Sequence, residues 1–183
     1  MSDNTNVVTL DNFISEEDCK QLIQLCSDKV FKSTVVGGQV HASRTSSTYY
    51  IPGTDSVVKS IRTKVAEFLK IPEENIEPIQ FLRYMKGERY LYHHDYLVGD
   101  NIPNQRVHTL IVYLNTLELE DGGATSFFHY KLKVVPKMGT AVWFRNMNED
   151  GTLNQKSLHA GEEILKDGVI KYALNIWTRQ NKY

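Results

Sequence analysis

Beyond Pro72 this chain is written in short runs of period two. Apolar and polar residues alternate over 79–84, 90–93, 107–114, 125–128, 131–135, 140–144 and 169–177. Turn signals separate the runs, among them Lys86-Gly87, Gly99-Asp100, Asp121-Gly122-Gly123, Lys137-Met138-Gly139 and Asp150-Gly151. Such closely spaced strands must bury their inward faces against one another, so a double sheet is the expected solution. Ahead of them stand a short strand over 7–10 and two amphipathic helices. The first starts with Ser15-Glu16-Glu17-Asp18, a capping-box pattern, and is expected to run to Val30. The second is expected over 54–70, with Val57, Val58, Ile61, Val65, Phe68 and Leu69 on its inner face. The stretch 36–47, rich in Gly, Ser and Thr, reads as a loop. The fold class is α+β: a jelly roll or barrel-like double sheet with N-terminal supporting helices on one outer face. One domain is expected over 1–183, with helical support over about 11–72 and the sheet core over about 77–179.

Charge and composition exclude several functions. Twenty-one Lys and Arg against 22 Asp and Glu leave a net charge of −1, which speaks against nucleic acid or an anionic membrane as partner. The opening residues, Met-Ser-Asp-Asn-Thr-Asn, lack the apolar segment of a signal peptide. The longest apolar run, from Leu110 to Leu114, is far short of the ~20 residues that span a bilayer. The expected location is cytoplasmic. Cys19 and Cys26 share the apolar stripe of one helix about 10 Å apart, too far for a disulfide, and read as buried reduced thiols.

Chemistry concentrates in Tyr92-His93-His94-Asp95-Tyr96. On a strand His93 and Asp95 share a face, and together they offer two ligands to a metal. A third is needed, and His41, His108, His129 and His159 remain. His41 lies in the 36–47 loop and nothing local singles out His108 or His129, whereas His159 sits where a loop enters the last strands. Twelve residues later comes Lys171, in a strand where it shares one face with Asn175 and Trp177. A lysine amid apolar residues must reach water, lose its proton or find an anion. Water at an edge strand is one reading, and the carboxylate of a bound small acid is the other. Two His and one carboxylate form the facial set of non-haem Fe(II) oxygenases, whereas no His-Glu-x-x-His or Cys-x-x-Cys supports zinc.

From about Val8 to Trp177 the chain resembles the prolyl 4-hydroxylase family of Fe(II)/2-oxoglutarate-dependent dioxygenases, in its compact catalytic form. The resemblance is carried by Arg44-Thr45-Ser46, by Glu77-Pro78-Ile79-Gln80 through Tyr84, and by Gly87 through Tyr96. It continues in Arg106 to Thr109, Tyr113-Leu114-Asn115, Gly122-Gly123-Ala124-Thr125, Ser157-Leu158-His159-Ala160-Gly161, and Lys171-Tyr172 through Trp177. It implies a double-stranded β-helix and peptidyl-proline 4-hydroxylation with release of succinate and CO2. Fe(II), 2-oxoglutarate as cosubstrate, O2 and ascorbate as reductant are implied with it. His93, Asp95 and His159 would hold the metal. Lys171, with the hydroxyls of Tyr84 and Thr125 and with Tyr113 as a further candidate, would hold the distal carboxylate of 2-oxoglutarate. Arg44, Ser46, Glu77, Tyr90, Arg106 and Trp177 would contact a proline-containing peptide lying between loops 36–48 and 96–106. The protein is taken as a monomer by default.

The chain departs from the family at several points. Glu162-Glu163 stands where a Cys-Pro pair is usual, and the turn before Lys171 is longer. Ala124 replaces a common Glu, and Arg179 stands where a His is common two residues after the Trp. Alternatives to prolyl hydroxylation are the same oxidation on another side chain or a free amino acid, and a non-catalytic jelly-roll binding module.

Overall fold

In the computed structural model, residues 7–35, 38–99 and 102–183 are described. Strand β1 (Val7–Leu10) leads into helix α1 (Glu16–Cys26). The Ser15 hydroxyl accepts the Asp18 N–H at 3.0 Å, and three acidic residues occupy the first turn, so Ser15 caps the helix through the first half of the expected capping box. The helix ends at Cys26, short of Val30. Arg83 Nη1 donates to the Ser27 carbonyl at 3.3 Å, and the chain turns away into strand β2 (Phe31–Lys32). Strand β3 (Ser47–Tyr50) and helix α2 (Ser56–Leu69) follow. Asp55 caps α2 by accepting from the N–H groups of Val57 and Val58, and Lys70 closes it in the left-handed conformation.

The remaining strands are β4 (Gln80–Tyr84), β5 (Tyr90–His93), β6 (Arg106–Tyr113), β7 (Thr125–Phe127) and β8 (Leu132–Val134), then β9 (Ala141–Arg145), β10 (His159–Gly161) and β11 (Lys171–Arg179). They form two antiparallel sheets. The larger has the order β1-β9-β6-β11-β4-β3-β2, and the smaller the order β5-β10-β7-β8.

Alternation along the central strands decides what lies on each side. Leu110, Val112, Leu174, Ile176 and Phe81 pack against Leu22, Val58, Ile61 and Val65 of the helices. Ile111, Tyr113 and Ala173 point the other way, toward Phe127 of the smaller sheet and Phe144 of β9. The helices thus brace the larger sheet from outside, and the space between the sheets is left for a site.

Three strands were not visible in the sequence. β3 starts at the last residue of the stretch read as a loop and runs past it, and its polar Ser47 and Thr48 gave no apolar alternation to read. They are buried, and Thr48 meets the Ser33 hydroxyl, so buried polar partners replace apolar contacts. β2 and β10 are two and three residues long, too short to show a period. Cys19 and Cys26 are both buried and free, as expected. Among the described residues no helix is long and apolar enough to cross a membrane.

Candidate metal centre

The pairing of β5 with β10 sets His159 opposite His93. Asp95 follows in the turn that leaves β5. Nε2 of His93 lies 3.6 Å from Asp95 Oδ1, and Nε2 of His159 lies 3.7 Å from Asp95 Oδ2. Ligand atoms of the three residues all fall within 4.8 Å of one another, so a single ion can be reached by all three.

The surroundings fix which atoms face inward. Nδ1 of His93 is 2.8 Å from the Leu91 carbonyl, and Nδ1 of His159 is 2.8 Å from the Ser157 carbonyl. A carbonyl can only accept, so each Nδ1 carries the proton and each Nε2 presents a lone pair. The Tyr90 ring stacks on His93 at 3.5 Å between centroids, and Phe144 packs on His159 at 4.6 Å. Asp95 Oδ2 accepts the Thr109 hydroxyl at 2.8 Å, and Thr109 in turn accepts Asn146 Nδ2 at 2.8 Å. Burial, reinforced by His93, pushes His159 down to about 4. Burial opposes the Asp95 charge, yet His159, His93 and Arg106 hold its carboxyl well below the usual range. At neutral pH the centre therefore holds an ionised carboxylate beside a neutral His159, the state that a divalent cation requires. Two imidazoles and one carboxylate suit non-haem Fe(II) and leave further coordination positions open.

A cavity leads from this centre between the sheets. Its lining includes His93, His159, Tyr90, Tyr84, Thr125 and Lys171, with Leu82, Ile111 and Ala173 as apolar walls. Lys171 lies on β11, which is flanked by β4 and β6, so the edge-strand reading is excluded. Its side chain is buried, and Nζ donates to the Gly123 carbonyl at 2.6 Å. Gly123 has φ +74°, and a Cβ there would come within 2.6 Å of Ile164, so the residue must be glycine for the carbonyl to sit there. Burial pushes Lys171 down to about 7, with Glu162 pulling weakly the other way. Glu162 itself is engaged by Lys133 and Ser126, each at 2.7 Å. The site thus offers a metal set at one end and, at the other, a buried amine that no carboxylate contacts among the described residues. That arrangement matches a small dicarboxylate. Tyr113 sits behind this wall, and its hydroxyl donates to Thr125 Oγ1 at 2.7 Å.

The model of the 2OG-Fe(II) oxygenase superfamily matches residues 79–179. A probable prolyl 4-hydroxylase of Arabidopsis thaliana is 34% identical over 94% of this chain and 68% of its own length. This chain belongs to the prolyl 4-hydroxylase family of 2-oxoglutarate/Fe(II) oxygenases. A putative prolyl 4-hydroxylase of Acanthamoeba polyphaga mimivirus is 30% identical over 95% of this chain and 74% of its own. The crystal structure of a viral collagen prolyl hydroxylase from Paramecium bursaria Chlorella virus-1, in complex with 2-oxoglutarate, superposes with a TM-score of 0.81. It is 31% identical and covers 97% of each chain. The fold of this family member is the jelly roll, as expected.

Next to the metal centre of this oxygenase a second cavity opens, lined by Thr34, Val35, Arg44, Tyr50, Tyr90, His94, Asp95, Arg106 and Trp177. The Arg44 guanidinium lies 4.9 Å from the Tyr90 ring centre and donates to Gln80 Oε1 at 2.8 Å and to the Thr34 carbonyl at 3.0 Å. Arg106 lies 3.8 Å over the Trp177 ring. Ser46 and Glu77 stand behind this lining. Ser46 is fully buried against Ser33 and Arg44, and Glu77 is engaged by arginines. Of the two loops flanking the cleft, residues 36, 37, 100 and 101 lie outside the described residues.

Sequence reasoning missed Thr109, Asn146, Gly161 and Asn175. Asn175 shares the Lys171 face of β11, so the alternation already noted there was enough to find it. Thr109 lies in a motif that carries the resemblance, but its bond to Asp95 is not written there; Asn146, just after β9, reaches Thr109 through the pairing of β6 with β9, and no local pattern marks it.

Proposed function

We propose that this chain is a 2-oxoglutarate-dependent prolyl 4-hydroxylase acting on proline within a peptide. The observation that carries the proposal is the cavity with His93 and His159, grouped with Asp95, at one end and buried Lys171 at the other. In this reading the three ligands hold Fe(II) through Nε2, Nε2 and a carboxylate oxygen. Lys171, with the hydroxyls of Tyr84 and Thr125, binds the distal carboxylate of 2-oxoglutarate, and Tyr113 orients the Thr125 hydroxyl. When bound, Fe(II) with 2-oxoglutarate and O2 supplies the oxidation, in which 2-oxoglutarate becomes succinate and CO2 while one oxygen atom enters the C4–H bond of proline. Ascorbate serves as an auxiliary reductant.

The protein's own work is positional. Leu82, Ile111 and Ala173 keep water from the cosubstrate, and the Thr109–Asn146 relay keeps Asp95 aimed at the metal. The peptide occupies the cleft beside Asp95, where Tyr50, Tyr90 and Trp177 offer aromatic surface to proline rings. Arg44 and Arg106 hold two of those aromatics in place, and Ser46 and Glu77 support the arginines. We take 1–183 as one catalytic unit.

The test is turnover of Pro-Pro-Gly repeats, poly-proline and proline-containing loop peptides with Fe(II), 2-oxoglutarate and ascorbate. Succinate release coupled to a gain of one oxygen on proline supports the reading. Succinate release with oxygen inserted only into another residue contradicts it.

A further inference from the structure

Arg179 is a departure from the family pattern that the iron site does not absorb. It ends β11, and its side chain does not line the cleft. Instead it joins Arg106 on one buried carboxylate. Glu77 accepts from Arg106 Nε at 2.7 Å and Nη2 at 2.8 Å, and from Arg179 Nε at 2.5 Å. A second donor of Arg179, Nη1, reaches the Asn104 carbonyl at 2.6 Å. One planar guanidinium therefore ties together the end of the central strand, the residue behind the cleft floor, and the base of loop 96–106.

The residues after β11 extend this tie. Asn104 Nδ2 donates to the carbonyls of Asn181 and Lys182, and Asn104 Oδ1 accepts the Asn181 N–H at 2.9 Å. Gln180 and Gln105 exchange two hydrogen bonds, each at 3.0 Å. Gln105, itself buried, closes the loop by bonding both the N–H and the carbonyl of Leu97. Leu97 is two residues beyond the metal-facing Asp95. The Tyr183 ring lies 5.6 Å from the Arg179 guanidinium and covers it.

We infer that Arg179 is a positioning residue for the peptide cleft. Through Glu77 it holds Arg106 over Trp177, and through Asn104 it holds the base of loop 96–106. Arg106 alone still satisfies Glu77 with two bonds, so loss of Arg179 leaves no buried carboxylate bare. The effect falls on cleft geometry rather than on folding, and none of Glu77, Asn104, Arg106 and Arg179 lines the cavity holding His159 and Lys171.

The test compares Arg179→Met, which keeps the stem and removes the donors, with Arg179→Lys, which keeps the charge. Steady-state kinetics use a Pro-Pro-Gly peptide, and this arm rests on the prolyl reading above. Arg179→Met is expected to raise KM for the peptide about tenfold, the size of one charge-assisted hydrogen bond. KM for 2-oxoglutarate and peptide-independent succinate release stay unchanged, and Arg179→Lys falls between Arg179→Met and the parent protein. Hydrogen exchange forms a second arm that needs no substrate. The amides of residues 104–106 are expected to exchange faster in Arg179→Met, and those of residues 159–161 at the parent rate. An unchanged peptide KM in both variants, a parallel rise in KM for 2-oxoglutarate, or unchanged exchange at 104–106 overturns the inference. If the parent protein oxidises no prolyl peptide, the prolyl reading fails, and the exchange arm alone decides the role of Arg179.

Discussion

Two cavities meet at the metal centre, and they are made of different material. The one that ends at Lys171 takes its whole lining from strands β4, β5, β6, β7, β10 and β11. The one beside Asp95 mixes strand residues with Thr34, Val35, Arg44 and His94, which lie outside the strands. In the first, backbone ladders fix each side chain, and the polar groups are buried. In the second, side chains hold one another through Arg44 on Tyr90, Arg106 on Trp177 and Arg179 on Glu77. A cosubstrate that never changes suits a cavity fixed by sheet register. A peptide that must enter and leave suits a cleft whose form is set by replaceable side-chain contacts.

This contrast predicts which variants affect which substrate. Asp95 stands at the junction, so Asp95→Ala should disable both sides. We expect turnover to fall by more than about a hundredfold, beyond the range seen when only a ligand's supporting partner is lost. Metal titration should show the same loss. Retained metal affinity with normal succinate release would separate the junction from the chemistry.

The next effect belongs to the strand-built cavity alone. Lys171, with its pKa pushed down to about 7 in the free protein, must be protonated to hold a carboxylate. As pH rises above 7 the free protein sheds that proton, and binding of 2-oxoglutarate must take it up again. Affinity should then fall by up to about tenfold per pH unit, while KM for the peptide does not follow the same profile. Lys171→Met should flatten the profile.

A smaller effect belongs to the cleft alone. Arg44→Met removes the bonds to Gln80 and to the Thr34 carbonyl and the cation over Tyr90. KM for the peptide should rise about tenfold with KM for 2-oxoglutarate unchanged. Equal changes in both constants would mean that the two cavities are one mechanical unit.

The same division explains what could be read from the sequence. On β11, alternation separated the helix-facing Leu174 and Ile176 from Lys171 and Asn175, because both faces of a central strand are buried and each face has its own chemistry. The motif spacing picked out His93, Asp95 and His159 together. Their meeting, however, depends on the pairing of β5 with the three-residue β10, which has no period to read. In the cleft, Glu77 and Ser46 were expected to face the peptide. The structure places them behind arginines, since a buried carboxylate or hydroxyl needs partners that no local pattern supplies. β3 stayed hidden for a related reason: its Ser and Thr are buried by hydrogen bonding rather than by apolar contact.

One cavity has His93 and His159 at one end and the buried Lys171 amine at the other, so its two ends suit the two ends of a dicarboxylate. The most direct measurement titrates two 2-oxo acids anaerobically into the Fe(II)-loaded protein, with and without Lys171→Met. One is 2-oxoglutarate, and the other is 2-oxobutyrate, which keeps the chelating end but lacks the distal carboxylate. The parent protein should prefer 2-oxoglutarate by about a hundredfold, the value of a buried charge-assisted contact, and Lys171→Met should erase the preference. Undiminished discrimination by Lys171→Met, with metal affinity intact, would contradict the dicarboxylate reading.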